Sequence, residues 1–83
     1  MIDEEVLAAA RGVLELCRRR KLKIATAESC TGGLVSAALT AIAGSSDVVD
    51  RGFVTYSNAA KHTVLGVSDK LLQAKGAVTQ SVA

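Results

Sequence analysis

The chain has 83 residues and a net charge of +2, and 49% of its residues are apolar although only Phe53 and Tyr56 are aromatic. This length allows one small domain or part of one, in which about 60–65% of the surface that the unfolded chain exposes is buried. Two cysteines, a single basic cluster at residues 18–21 and the lack of a long apolar run argue against a disulfide scaffold, a nucleic-acid-binding surface and a membrane span.

The first predicted element is an amphipathic helix over residues 3–20. Its apolar residues recur every three or four positions and form one stripe: Val6, Leu7, Ala10, Val13, Leu14 and Cys17. Asp3 is a suitable N-cap, and Ile2 can pack on Val6 as a hydrophobic staple. Because Cys17 belongs to the stripe, we interpret it as a small core residue rather than a reactive thiol.

A strand over residues 22–27 and a helix over residues 32–43 are predicted next, joined by a polar turn. Thr31 is the predicted N-cap of this helix and Gly44 follows its end. The helix has little polar face, which predicts burial on most sides. A strand with helices on both sides of it in the sequence is typical of βαβ units, so we predict an α/β fold with a mainly parallel sheet.

The polar turn combines a candidate nucleophile with a backbone that can bind an anion. Its sequence is Glu28-Ser29-Cys30-Thr31-Gly32-Gly33. The first N–H groups of a helix lack acceptors, and Gly32 and Gly33 have no Cβ that keeps a ligand away. Ser29 is either a capping hydroxyl or a nucleophile, and Cys30 is a rival nucleophile or a packing residue. Glu28 either acts as a general acid or base or braces the turn by accepting N–H groups.

A second strand is predicted over residues 52–56, where β-branched and aromatic side chains alternate. Ser57 and Asn58 then form an N-cap pair for a helix that closes at Gly66. Lys61 lies in the first turn of this helix, where the helix dipole disfavours the ammonium form. Without further information, its position is that of a solvated surface lysine.

The end of the chain contains a third unit that runs from a cap to a glycine. It begins at Ser68 or Asp69 and ends at Gly76. Thr79 begins a further element only four residues before Ala83. We therefore expect these residues to belong to a longer domain.

Three stretches of the sequence, in this order and spacing, carry a resemblance to a known family. They are Thr26-Ala27-Glu28-Ser29-Cys30-Thr31-Gly32-Gly33-Leu34, then Gly52-Phe53-Val54-Thr55-Tyr56-Ser57-Asn58, then Lys61 with Leu65-Gly66-Val67. They resemble the CinA C-terminal domain family, the nicotinamide mononucleotide deamidases or nicotinamide-nucleotide amidohydrolases. Members of that family carry a second Gly-rich stretch, Thr-Gly-Ile-Ala-Gly-Pro, that does not occur here. We therefore expect residues 1–83 to form a single CinA C-terminal-like domain that is truncated on its C-terminal side.

The resemblance implies a three-layer α/β/α sandwich and hydrolysis of the carboxamide of nicotinamide mononucleotide to nicotinate mononucleotide and ammonia. By motif, Ser29 would be the nucleophile, Lys61 its general base, and Tyr56 a hydroxyl that orients or relays the proton. Part of the substrate phosphate would be held by backbone N–H groups at a Gly-rich helix start. The residues expected to contact substrate are Glu28, Cys30, Thr31, Gly32, Gly33, Ser57 and Asn58.

The expected partner is a small nucleotide substrate, with no metal, no cofactor, no nucleic acid and no membrane. We also expect a homo-oligomer. A cytoplasmic location is expected because the cysteine content fits a reducing compartment. Two alternatives stay open at this point. The chain could be a nucleotide-binding or assembly module without catalytic activity, or a segment whose exposed sheet edges need another part of the domain or another subunit.

Overall fold

The structure, a computed structural model, describes residues 2–83. Its elements follow the predicted order with shifted boundaries. They are α1 (Glu4–Arg19), β1 (Ile24–Glu28), α2 (Leu34–Thr40), a 3₁₀ turn (Ser45–Asp47), β2 (Val49–Val54), α3 (Asn58–Leu65) and α4 (Asp69–Lys75). No helix within residues 2–83 is long and apolar enough to cross a membrane.

Helix α1 forms as its sequence pattern predicts. The Asp3 carboxylate accepts a hydrogen bond from the Val6 N–H at 2.9 Å, which confirms the predicted N-cap. At the other end, the Arg18 guanidinium donates to both carboxylate oxygens of Asp47, at 2.6 and 2.9 Å. This pair joins the end of α1 to the 3₁₀ turn before β2.

The sheet has two parallel strands, as predicted, with α2 in the connection between them. Thr26 pairs with Gly52, Ala27 with Phe53, and Glu28 with Val54. Strand β2 covers Val49–Val54, three residues earlier than the predicted start at Gly52. The prediction missed this start because Asp50 and Arg51 are polar, yet both are exposed and pair with each other at 2.6 Å.

The core lies between α1, α2 and one face of the sheet. Its buried residues are Ala10, Leu14, Ala38, Leu39 and Val48, with Cys17 packed against them. The prediction that α2 is buried on most sides is wrong, because Leu34 is 60% exposed and Val35 44% exposed. The helix has only seven residues, and it reaches the core through Ala38 and Leu39 alone.

The two last helices have serine N-caps and end at glycines, as predicted, although α3 begins at Asn58, one residue before the predicted start. The Ser57 hydroxyl accepts from the Ala60 N–H at 3.0 Å, and the Ser68 hydroxyl accepts from the Leu71 N–H at 3.4 Å. Gly66 ends α3 in the left-handed conformation, with φ at 73°, which glycine adopts without strain. These local caps fix where each helix starts and therefore where Lys61 lies relative to β2.

Candidate active site

A cavity of about 550 Å³ opens at the carboxyl ends of the two strands. Parallel strands deliver the residues that follow them to one edge of the sheet, which is where α/β proteins commonly bind ligands. The wall comes from four parts of the chain: the end of β1, the end of β2, α3 with the residue after Gly66, and the C-terminal segment. Its residues are Ala27, Glu28, Ser29, Cys30, Thr55, Lys61, Leu65, Val67, Ala77, Val78, Thr79, Gln80, Val82 and Ala83.

Ser29 and Lys61 both line this cavity, although they lie on different elements. Ser29 follows β1 directly and is half-buried. Lys61 sits in the first turn of α3 and is only 5% exposed. Its Nζ donates a long hydrogen bond of 3.5 Å to the carbonyl oxygen of Ala77. A hydroxyl and a buried amine therefore share one mostly apolar space.

Glu28 is the best-connected side chain near the site. It is 6% exposed, and its Oε1 accepts hydrogen bonds from the Thr31 hydroxyl at 2.8 Å, the Gly33 N–H at 3.1 Å and the Val35 N–H at 2.8 Å. Its Oε2 accepts from the Ser36 N–H at 2.9 Å. This is the bracing role that the sequence left as one of two alternatives.

These hydrogen bonds control the charge of Glu28. Burial by itself raises the pKa of a carboxyl group, but the N–H groups of Ser36 and Val35 and the Thr31 hydroxyl favour the carboxylate more strongly. Together they lower the pKa of Glu28 from 4.5 to about 2. Glu28 is therefore an anion at any pH near neutrality.

The predicted anion-binding backbone at the start of α2 is already in use. The Gly33 N–H donates to Glu28, and the Gly32 N–H donates to the Ser29 carbonyl oxygen at 2.9 Å. Thr31 was predicted as the N-cap, but Gly33 occupies that position and Thr31 donates its hydroxyl to Glu28. The expectation that these N–H groups are free for a substrate phosphate is therefore wrong, because the protein's own carboxylate takes that place.

Three other predicted site residues lie outside the cavity wall. Tyr56 is 75% exposed. The Ser57 hydroxyl is used as the N-cap of α3, and Asn58 is the exposed first residue of that helix. The structure brings Ser29, Cys30, Glu28 and Lys61 together but does not bring these three residues to them.

The sequence reasoning missed several wall residues. Thr55 is 2% exposed, and its N–H donates to the Glu28 carbonyl oxygen at 2.8 Å, which extends the strand pairing by one step. It follows β2 as Ser29 follows β1, so the same rule about strand ends could have identified it. The segment 77–83 carried no pattern that pointed to a cavity. Within residues 2–83, no group of three or more His, Cys, Asp or Glu side chains is arranged to hold a metal ion.

Comparison with known proteins decides the family. The model of the family described as "CinA C-terminal domain" matches residues 6–83. The chain belongs to the CinA C-terminal domain family. The resemblance that the three sequence stretches indicated is therefore confirmed over nearly the whole chain.

Curated relatives of this CinA-family chain carry different names, as two of them show. A CinA-like protein from Syntrophobacter fumaroxidans is 58% identical over 69 residues, which is 83% of this chain and 16% of that protein. The nicotinamide-nucleotide amidohydrolase PncC from Enterobacter agglomerans is 63% identical over 59 residues, which is 71% of this chain and 36% of that protein. The chain thus spans well under half the length of these relatives.

Solved structures confirm the α/β fold. The crystal structure of competence/damage inducible protein CihA from Agrobacterium tumefaciens has a TM-score of 0.96 and 48% sequence identity. The match covers all of this chain and 50% of the CihA chain. The CinA superfamily protein from Enterobacter cloacae has a TM-score of 0.88 at 36% identity. The arrangement of helices around a parallel sheet is therefore shared with about half of each of these structures.

Proposed function

We propose that this chain is an amidohydrolase that converts nicotinamide mononucleotide to nicotinate mononucleotide and ammonia. The observation that carries the proposal is that Ser29 and Lys61, distant in sequence, line one cavity at the carboxyl edge of the sheet. The name of the Enterobacter agglomerans relative, a nicotinamide-nucleotide amidohydrolase, supports the choice of substrate.

In the proposed reaction, the Ser29 Oγ attacks the carboxamide carbon while Lys61 Nζ takes the hydroxyl proton. The C–N bond then breaks, and the nitrogen leaves as ammonia with the proton that Lys61 returns. This gives an ester between Ser29 and the nicotinate. A water molecule, deprotonated by the same amine, hydrolyses the ester and restores the serine hydroxyl.

The cavity suits an aromatic amide. Its volume of about 550 Å³ lies within the range of roughly 300–1,000 Å³ that is typical of small-molecule sites. Leu65, Val67 and Val78 provide apolar wall against which a pyridine ring can pack. Thr79 and Gln80 add polar groups at the C-terminal side of the wall. Because the start of α2 is closed by Glu28, we propose that the phosphate is held by groups other than the N–H groups of that helix.

The test is release of ammonia from nicotinamide mononucleotide by the purified chain. Ser29→Ala and Lys61→Met are each expected to reduce the rate by at least about 100-fold, since nucleophile and base act as one unit. The matched controls are Ser46→Ala and Lys70→Met, which change an exposed serine and an exposed lysine that are not part of the cavity wall. Circular dichroism checks that each variant is folded. Full activity in either site variant would remove that residue from the proposed mechanism.

The second candidate is a module that binds the nucleotide without chemistry. The observation that favours it is that Tyr56, the expected proton relay, is 75% exposed and lies outside the cavity wall. Titration calorimetry with nicotinamide mononucleotide, run beside the ammonia assay, separates the two. Binding without ammonia release would support the module, and ammonia release that depends on Ser29 would rule it out. The proton relay through Tyr56 stays a prediction.

A further inference from the structure

The Glu28 carboxylate accepts the first N–H groups of α2 although Glu28 is not the N-cap residue of that helix. A helix N-terminus normally uses the side chain at its N-cap position to accept the first N–H groups. Here the N-cap is Gly33, which has no side chain and a φ of 105°. Glu28, five residues earlier, supplies the acceptor instead, with the Val35 and Ser36 N–H groups at 2.8 and 2.9 Å.

This arrangement makes a closed loop around Ser29. Residues 29–32 follow Glu28, the last residue of β1. The N–H of the next residue, Gly33, then donates a hydrogen bond back to the Glu28 side chain. The Thr31 hydroxyl ties the middle of the loop to the same Oε1 atom at 2.8 Å. The Ser29 carbonyl oxygen accepts from Gly32 at 2.9 Å inside the loop. The conformation of residue 29 is thus set by the contacts of residue 28.

We propose that Glu28 is a positioning residue for Ser29: its carboxylate clamps the loop 29–32 to the start of α2 and so holds the hydroxyl at the cavity wall. The inference rests on the proposed function, in which Ser29 is the nucleophile. It assigns to Glu28 a role in the rate of the reaction that does not require contact with substrate.

The same contacts argue against Glu28 as the general acid or base. Both carboxylate oxygens already accept protein hydrogen bonds, four in all. A general base must reach the proton that it removes, and one engaged in four internal hydrogen bonds is poorly placed to do so. Its lowered pKa of about 2 also means that it carries no proton to donate near neutrality. Positioning is the role that these contacts support.

The experiment compares Glu28→Gln, Thr31→Val and Thr31→Ser in the ammonia assay, with Glu5→Gln on the exposed face of α1 as the matched control. Glutamine keeps the size of the side chain but presents an amide group that cannot accept from every donor. We expect kcat to fall by about 10- to 100-fold in Glu28→Gln, because a displacement of about 1 Å at a reacting group can cost about 100-fold. We expect KM to change by less than about threefold, because both carboxylate oxygens are engaged by hydrogen bonds within the protein.

The Thr31 pair separates positioning from folding. Thr31→Val removes one of the four hydrogen bonds at nearly constant shape, so it keeps the helix start and is expected to lower kcat by a few-fold, to about one third. Thr31→Ser keeps the hydroxyl and is expected to restore most of that loss. A role in stability alone would lower the melting temperature of Thr31→Val without separating the kcat values of the two variants when the assay is run well below that temperature.

Amide hydrogen exchange gives a readout that does not depend on turnover. The Val35 and Ser36 amides are expected to exchange about 2- to 10-fold faster in Glu28→Gln, the factor that corresponds to the loss of one hydrogen bond. Unchanged exchange would overturn the clamp whatever the activity of the wild-type chain. Faster exchange with wild-type kcat would overturn the positioning role while leaving the proposed function intact. A wild-type chain that releases no ammonia would overturn the proposed function, and the role of Glu28 with it.

Discussion

Gly52 offers the sharpest test of how the sheet and α2 fit together. It pairs with Thr26 of β1, and a Cβ atom added to it would lie 2.6 Å from the Ser36 Oγ and 2.7 Å from the Thr26 Oγ1. These two hydroxyls are themselves hydrogen-bonded across the junction of β1 and α2. Gly52 is not among the glycines with positive φ, so alanine is excluded there by lack of space and not by backbone conformation. Gly52→Ala must therefore push α2 and the strands apart or break the hydroxyl pair.

The expected cost follows from overpacking. Inserting one carbon into a well-packed region typically costs about 1–3 kcal/mol. At roughly 0.05–0.15 kcal/mol per residue, a chain of 83 residues has a free energy of unfolding of about 4–12 kcal/mol. Gly52→Ala should thus remove a sizeable part of the stability and lower the melting temperature by about 4–24 °C, since 1 kcal/mol corresponds to about 4–8 °C in a domain of this size.

Urea unfolding followed by circular dichroism measures this cost in two backgrounds. In Thr26→Ala/Ser36→Ala both oxygens are gone and the nearest remaining atom is the Ser36 Cβ at 3.6 Å, an ordinary contact distance. Adding Gly52→Ala there should cost less than about 0.5 kcal/mol, because sites in contact are coupled and the clash has been removed. Gly12→Ala is the matched control. Gly12 lies inside α1 with no atom within 4 Å of an added Cβ, so alanine should stabilise by about 0.5–1 kcal/mol. An equal cost of Gly52→Ala in both backgrounds would refute the argument from the two hydroxyls.

Three further predictions concern single side chains. Because the pKa of Glu28 falls from 4.5 to about 2 on folding, its ionised form stabilises the native state fully above about pH 4.5, and this contribution is lost as the pH falls toward 2. Thermal melts of Glu28→Gln should therefore depend less on pH in that interval than those of the wild type, and parallel curves would contradict the assignment. Ser57→Ala should cost about 1 kcal/mol by thermal denaturation because it removes the N-cap of α3, whereas Ser46→Ala should cost almost nothing. Leu14→Ala, at a site that is 1% exposed, should cost about 2–5 kcal/mol in urea unfolding, and an equal cost at Leu16, which is 44% exposed, would contradict the assigned core.

The caps of α1, α3 and α4 could be predicted because they depend on neighbours in sequence. Asp3, Ser57 and Ser68 each accept a hydrogen bond from an N–H three residues ahead, an interaction that spans less than one helical turn. Gly66 ends α3 for an equally local reason, since its φ is positive. The family resemblance also predicted that Ser29 and Lys61 belong to one site, and the carboxyl ends of the parallel strands bring both to one cavity.

The N-cap of α2 and the burial of this helix were predicted incorrectly, because both depend on contacts beyond the immediate sequence neighbours. Thr31 has the right chemistry for an N-cap, but Glu28 reaches the same N–H groups from the other end of the turn and Thr31 becomes its donor. The burial of α2 was overestimated because the apolar sequence says nothing about how many neighbours the helix has. Tyr56 shares a motif with Lys61 but is 75% exposed and lies outside the cavity wall, so its role as a proton relay stays a prediction.

Glu28 contacts both the helix that packs on one face of the sheet and the cavity on the other, so it couples stability to activity. Thr26 and Gly52 face α2, where the packing that stabilises the fold lies, whereas Ala27 and Thr55 line the cavity on the other side. Glu28 ends β1, binds the start of α2 with its carboxylate and also contributes to the cavity wall. A change such as Gly52→Ala that displaces α2 should therefore also displace Ser29, because Glu28 joins the two. Leu14 belongs to the core cluster with Ala38 and Leu39 of α2, and not with the residues that bind Glu28. Leu14→Ala should therefore lower stability while kcat of the folded fraction stays the same.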